Sequence, residues 1–367
     1  MKNNKLTILG IRGVPATHGG FETFSEHLAK YLENKGWDVC VYCQEDGNGP
    51  VYETKWERIT RIHIPVKSSG PLGTIIFDFR SIWHSRNTKG LHLTLGYNTA
   101  IFNIIQRFYK IVNVINMDGI EWKRQKWNKV AKFWFWINER LGCLLGTHLI
   151  ADHPCIADHL AARVSRKKIT MIPYGALNVS ESDESVLSQF GLKKNEYCIV
   201  VARPEPENSI LEIVKAFSKK KREQTLVVLG KFCPKDNFYH KLVLEAASSE
   251  VLFPGAIYEV EKLGALRFFS RFYIHGHQVG GTNPSLVEAL GAGCAVIAHN
   301  NQFNRWVSAD SAFYFDDIDS LACFFDDQYH DDNYVNEKKK QAKIEFLNRF
   351  QWNSILAEYE SVLLKHC

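Results

Sequence analysis

Leu6-Thr-Ile-Leu9 runs directly into Gly10-Ile-Arg-Gly-Val-Pro-Ala-Thr-His-Gly-Gly20, after which Phe21, Phe24, Leu28, Tyr31 and Leu32 recur at the spacing of one helix face. A short apolar strand, a glycine-rich turn and an amphipathic helix together read as a βα unit. Gly36 closes that helix, and the chain from Trp37 to Cys43 alternates as a second strand, so the opening belongs to a parallel, doubly wound α/β fold. Short apolar runs at Ile111–Ile115 and His148–Ala151 carry the alternation on to Ile172. A second cycle starts at Tyr197-Cys-Ile-Val-Val-Ala202, an unbroken apolar run of the kind that is buried on both faces of a parallel sheet. Strands at Thr225–Leu229, Val251–Phe253, Phe272–Ile274 and Ala295–Ala298 follow, with helical patterns such as Ile210, Ile213, Val214 and Phe217 between them.

A chain of 367 residues holding two such cycles suits two α/β domains with a cleft between them. The boundary falls near 175–190, where Asn178 to Ser188 is polar and rich in Ser and Glu. The division is then 1–178, 179–349 and a last helix over 350–367. That helix aligns Ile355, Tyr359, Val362 and Leu363 on one face, which predicts that it docks back on the N-terminal domain.

Composition excludes several classes. No apolar run reaches the length of a membrane span, and MKNNKLTILG enters a strand without a signal-peptide core, so a cytoplasmic protein is expected. The nine cysteines are scattered; Cys198 and Cys294 sit in apolar runs, and the lone Cys40/Cys43 pair has no partner pair for zinc. His148, His153 and His159 lack metal spacing, and Asp316-Asp-Ile-Asp319 reads as a helix start, so no metal is expected. Residues 1–175 carry a net charge of about +10 and the rest about −5. The basic half follows no nucleic-acid-binding pattern and suits an anionic membrane or phosphorylated lipid instead.

Two loops carry the chemistry. The first glycine-rich turn leads with Gly19 and Gly20 into a helix N-terminus, where N–H groups and the helix dipole attract phosphate; it is neither a GxGxxG nor a P-loop. The second is His275-Gly-His-Gln-Val-Gly-Gly-Thr-Asn-Pro-Ser-Leu-Val-Glu288, which comes after a strand and opens the helix Leu286–Leu290. Its backbone donors suit phosphates, and Glu288, one turn in, suits ribose hydroxyls. Asp118 in Asn116-Met-Asp-Gly-Ile-Glu-Trp122 stands after a strand and can orient or deprotonate a hydroxyl, or simply cap the next helix. Trp122-Lys-Arg-Gln-Lys-Trp-Asn-Lys and Lys132-Phe-Trp-Phe-Trp136 mix bases and aromatics as membrane interfaces do, though core aromatics under a solvated basic face would look alike.

The second loop resembles the donor-binding stretch of family 4 glycosyltransferases of the GT-B fold. GIRGVPATHGGFET, NMDGIEWKRQKW, IADHP, ARPEPEN and HGHQVGGTNPSLVEA together resemble the bacterial rhamnosyltransferases that build capsule, cell-wall and O-antigen polysaccharides. The resemblance implies two Rossmann-like domains facing a cleft, the first binding acceptor and the second a nucleotide diphosphate sugar, with no separate cofactor. Donor contacts fall on Gly19, Gly20, Arg203, Lys231, His275, Gly281, Thr282, Asn283, Pro284, Ser285 and Glu288. Acceptor contacts fall on Asp118, Glu121, Trp122, Lys123 and His153, with Asp118 and Arg203 catalytic. Two positions depart from the superfamily: the first of its paired glutamates is Gly280 here, and its phosphate-clamping lysine is Asn208. Lys231 or Arg12 is the expected substitute for that lysine. The implied reaction moves L-rhamnose from dTDP-L-rhamnose, with retention, to a lipid-linked glycan at the inner face of the cell membrane. A UDP-hexose or UDP-N-acetylhexosamine donor, a nucleotide-sugar epimerase and a non-catalytic glycan- or lipid-binding subunit are the alternatives. Oligomeric state is not legible in the chain.

Overall fold

A computed structural model describes residues 4–17, 19–327 and 331–367; His18, within the first glycine-rich turn, lies outside them. The chain forms two compact units. The first is built from residues up to Lys123, Trp127–Pro173 and Trp352–Cys367; the second from Arg124–Lys126 and Tyr174–Gln351.

The first unit runs β1 (Lys5–Leu9), α1 (Gly20–Asn34), β2 (Asp38–Asp46), β3 (Tyr52–Trp56), β4 (Ile59–Val66), α2 (Gly70–Ser85), β5 (Leu91–Leu95), α3 (Asn103–Phe108), β6 (Asn113–Asn116), α4 (Lys129–Leu145), β7 (His148–Ala151), α5 (Pro154–Ala161) and β8 (Ile169–Met171). Its sheet has the order β3-β4-β2-β1-β5-β6-β7-β8 and is parallel except for the β3–β4 hairpin. The strand expected at 111–115 starts two residues later. Ile111 N still donates to the Gln106 carbonyl at 2.9 Å, and Lys110 takes a left-handed φ of 55°, so both residues finish α3 instead.

The second unit runs β9 (Tyr197–Val201), α6 (Ile210–Phe217), β10 (Thr225–Leu229), α7 (Phe238–Glu245), β11 (Val251–Gly255), α8 (Val260–Phe268), β12 (Phe272–His275), α9 (Pro284–Gly291), β13 (Ala295–His299), α10 (Gln302–Ser308), β14 (Ala312–Phe315), α11 (Ile318–Asp327) and α12 (Asp332–Arg349). The sheet order is β11-β10-β9-β12-β13-β14, all parallel. Apolar clusters cover both faces, Ile199, Val227 and Tyr273 on one and Val200, Val228 and Ile274 on the other, which is why β9 reads as a continuous apolar run. The polar stretch 178–188 lies on this unit, with Leu187 buried in its core.

The last helix, α13 (Trp352–Leu364), returns to the first unit. Ile355, Tyr359, Val362 and Leu363 are all buried. Phe24 of α1 meets the Tyr359 ring at 4.5 Å, Tyr31 and Trp37 donate to Glu360 at 3.0 and 3.2 Å, and Asn116 Nδ2 donates to the Tyr359 hydroxyl at 2.7 Å.

Candidate functional site

Open parallel sheets bind ligands where the winding reverses, because loops leaving adjacent strand ends part there. In the second unit the reversal falls between β9 and β12. The loop after β9 carries Arg203, the loop after β10 carries Lys231, and the loop after β12 is the glycine-rich 276–283.

The first and third of these loops are joined. Ser209 Oγ donates to the Gly276 carbonyl at 2.7 Å, Gln278 N to the Glu207 carbonyl at 2.9 Å, and Gln278 Nε2 to Ser209 Oγ at 2.8 Å. A Cβ on Gly276 would stand 2.2 Å from the Asn208 carbonyl oxygen, so only glycine permits this approach. Asn208 Nδ2 donates to the Arg203 carbonyl at 2.8 Å, turning Oδ1 toward His277 Nδ1 at 2.5 Å; the network assigns the ring proton to Nδ1. Burial, then the charges of Arg124 and Arg203, hold the buried His277 down at about 3, against a weaker bond to the Val279 backbone. His277 is therefore neutral near pH 7, and exposed Arg203 lies near enough to act on it.

His277 also explains Gly280. A Cβ there would stand 2.9 Å from His277 Nε2, and the φ of 146° is one that side chains rarely adopt. A glutamate at position 280 has no room while His277 holds its place. The two departures, Asn208 and Gly280, are thus tied to one imidazole.

Helix α9 starts with Asn283 Oδ1 accepting from Ser285 N at 3.0 Å. Ser285 Oγ donates to the Val201 carbonyl at 3.1 Å and contacts the Tyr273 hydroxyl at 2.8 Å, so both side chains shape the helix start, where the Leu286 and Val287 amides also donate to the Asn283 carbonyl. Glu288 is half-buried, and its Oε2 lies 2.6 Å from Nη2 of buried Arg267 on α8. His275 is buried and held well below the usual histidine range by burial, then by His277 and His299. Its Nε2 has no hydrogen-bond partner among the described residues. Gly281 and Pro284 are half-buried, Thr282 is buried, and Lys231 is exposed.

In the first unit the reversal falls between β1 and β5. The loop leaving β1 has Arg12 N donating to Glu22 Oε1 at 3.1 Å and Ala16 N to Glu26 Oε2 at 2.7 Å. Helix α1 thus turns its own carboxylates onto amides of the turn that ends in Gly19 and Gly20. Asp118 follows β6 with φ of 50°, a left-handed conformation that Asp tolerates better than most side chains. Its N donates to Asn116 Oδ1 at 3.0 Å, so a relay of hydrogen bonds runs from Asp118 through buried Asn116 to Tyr359 on α13.

The other candidates of this unit are held in place locally. Glu121 is buried, with its N donating to the Tyr97 hydroxyl at 2.8 Å and its Oε2 accepting from Trp127 at 3.1 Å. Trp122 donates to Glu139 at 2.8 Å, and exposed Lys123 sits 5.6 Å over the Trp122 ring. His153 is buried and caps α5, its Nδ1 accepting from Cys155 N at 3.0 Å. Glu139 gathers His159 at 3.1 Å and Arg163 at 3.0 Å as well. Burial pushes that carboxyl up, but the bonds from His159 and Trp122 and the neighbouring charges outweigh it and leave it below the usual range.

Sequence reading missed Arg267, Glu139, the Asn116–Tyr359 bond and the Asn208–His277 bond, whose partners are far apart in the chain. Arg124 was also missed; it belongs to the second unit, where it pairs with buried Glu207 at 2.9 Å. Near the late aspartates, Ser320 N donates to Asp317 Oδ1 at 2.8 Å, a helix cap. Cys40 and Cys43 are free thiols that burial pushes up, Cys40 to about 12.

Comparison with known proteins fits this geometry. Sucrose-phosphate synthase from Thermosynechococcus elongatus superposes with a TM-score of 0.79 at 17% identity, over 99% of this chain and 98% of that one. Anabaena HepE, in complex with UDP and glucose, superposes with a TM-score of 0.76 at 14% identity, over 99% of this chain and all of that one. The fold is that of the GT-B glycosyltransferases. Another GT-B structure, from E. coli and bound with UDP-2-fluoro glucose, gives 0.72 at 11% identity over 98% of each chain. A family model described as a domain of unknown function, DUF1972, matches residues 3–177. No curated protein matches the chain.

Proposed function

We propose that this chain is a retaining glycosyltransferase that moves L-rhamnose from dTDP-L-rhamnose to a hydroxyl of a lipid-linked glycan, at an anionic membrane surface on the cytoplasmic side. The observation that carries the reading is the pair of joined loops at the reversal between β9 and β12. It gathers glycine-loop amides, the capped start of α9 and the Arg203 charge where a sugar nucleotide's diphosphate would lie. Structural likeness to proteins that hold UDP and UDP-2-fluoro glucose supports a nucleotide-sugar donor.

In this reading the bond from the anomeric carbon to the diphosphate breaks and a bond to the acceptor oxygen forms on the same face. Arg203, Lys231 and the loop amides take the charge that develops on the leaving diphosphate. The acceptor proton passes to that diphosphate, while Asp118 orients the hydroxyl. Residues 121–123 and His153 shape the acceptor side, and the basic, aromatic stretch 122–136 meets the membrane. Among the described residues no helix is long and apolar enough to cross a membrane.

Arg267 engages Glu288 Oε2 at 2.6 Å, and the remaining lone pairs of the carboxylate can accept from the sugar hydroxyls of either a thymidine or a uridine donor. A UDP-sugar donor is the second reading, favoured by the UDP that HepE holds. Titrating the protein with dTDP and UDP separates them: tighter dTDP binding supports the first, and tighter UDP binding replaces it with the second.

A further inference from the structure

The first unit carries a surface that its own core does not use. Helix α4 turns Phe135 and Cys143 inward, and its other side shows Val130, Phe133 and Trp136. Helix α3 packs beside both α4 and α2. It shows Ile104 and Phe108, and α2 shows Phe79 and Trp83. Phe108 is 82% exposed, Phe133 62% and Ile104 60%. Phe79 lies 6.4 Å from Trp83 and 5.3 Å from the Phe102 ring that leads into α3, and Phe133 stacks on Trp136 at 6.1 Å. Single exposed apolar side chains are ordinary, but a set shared by three neighbouring helices marks an interaction surface.

Charge identifies what the surface meets. From Lys67 to Leu145, leaving out Arg124–Lys126 of the second unit, the chain has ten lysines and arginines and four carboxylates. Asp78, Glu121 and Glu139 are buried and Asp118 is half-buried, so the exposed charge over this stretch is of one sign. Arg86 lies 4.2 Å over the Trp83 ring and Arg140 3.4 Å over the Trp136 ring. A cation seated on an indole suits the level where lipid phosphates meet the apolar layer. An anionic bilayer answers both features at once, taking the aromatic rings into its boundary and drawing the bases to its headgroups.

We infer that α2, α3 and α4 form one interfacial membrane-binding face, with the apolar residues of α3 at its centre and anionic phospholipid as its partner. The inference rests on the membrane part of the proposed function and enlarges it from the segment 122–136 to three helices. The face would hold the first unit flat against the bilayer without crossing it.

The test is flotation of the full chain with phosphatidylcholine vesicles, with and without phosphatidylglycerol. Wild-type protein floats only with the anionic vesicles, and added salt weakens it. Ile104→Ser with Phe108→Ser lowers partition about tenfold or more, and Lys129→Gln with Lys132→Gln about fivefold per charge removed. Unchanged thermal unfolding and unchanged dTDP binding exclude misfolding as the cause. If the α3 pair floats like wild type while the α4 charge pair does not, contact is confined to 122–136 and the three-helix face is wrong. A vesicle-free dimer that the α3 pair abolishes assigns the face to a second copy and also overturns it. Failure of wild type to float overturns the face and the membrane part together. Transfer to a water-soluble acceptor glycan tests the catalytic reading independently of all three results.

Discussion

His277 Nδ1 lies 2.5 Å from Asn208 Oδ1, and the same ring stands 2.9 Å from where a Cβ on Gly280 would be. Asparagine, histidine and glycine are therefore one coupled arrangement. Gly280→Glu should lower dTDP affinity at least tenfold, since the side chain meets the imidazole at a φ of 146°. Adding His277→Ala should recover part of that loss, leaving the backbone strain. Calorimetric titration of both variants measures it; equal losses would show that the ring and position 280 are independent.

Asp118→Asn should cut transfer about a hundredfold or more while leaving dTDP binding nearly unchanged. Asn also tolerates the left-handed backbone at this position, so the substitution removes the carboxylate without adding strain. Steady-state turnover beside nucleotide titration gives the comparison, and normal turnover removes Asp118 from the chemistry.

Tyr359→Phe deprives buried Asn116 Nδ2 of its acceptor, at a cost of about 1–3 kcal/mol in urea unfolding. Because Asn116 also holds the Asp118 amide, turnover should fall more than nucleotide affinity. An unchanged kcat would mean that α13 supports the fold but not the position of Asp118.

The pH dependence of stability has a definite sign at His277. Its folded pKa of about 3 lies below the ordinary 6.5, so the unfolded chain binds the extra proton between those values. Its contribution is complete above pH 6.5 and is lost as pH falls from there toward 3. Urea midpoints should decline over that window, and His277→Gln should decline less steeply.

Glu139 acts in the same direction, since its folded state also favours the deprotonated form, here a charged carboxylate rather than a neutral ring. Its carboxyl is depressed, so the stability it supplies is present above the unfolded carboxylate value and lost as pH falls through the folded one. Glu139→Gln strips His159 and Arg163 of their shared buried partner, and about 3 kcal/mol should be lost at pH 7. The gap between variant and wild type should narrow in acid; a constant gap would point to packing rather than charge.

Much of the fold is legible because parallel strands buried on both faces leave unbroken apolar runs, as at Tyr197–Val201, and because glycines punctuate the turns after them. The β3–β4 hairpin is not, since Tyr52–Trp56 is an edge strand with largely polar residues and no Asn-Gly turn. Local features of the site, such as the capped start of α9, show in the order Asn283-Pro-Ser285. The bonds that tune the site do not. Asn208 and His277 are 69 positions apart, and Asn116 and Tyr359 243, so only the folded sheet order brings them together. Exposure is equally hidden: Phe108 and Phe135 are both aromatic residues in helical context, yet one faces solvent and the other the core.

The most direct test offers the purified protein dTDP-L-rhamnose together with UDP-glucose and UDP-N-acetylglucosamine, each with a lipid-linked glycan acceptor, and measures released nucleotide diphosphate. Acceptor-dependent release of dTDP, a product with retained anomeric configuration, and loss of release in Arg203→Ala are the expected results. No binding or turnover of any sugar nucleotide by well-folded protein would contradict the proposed function.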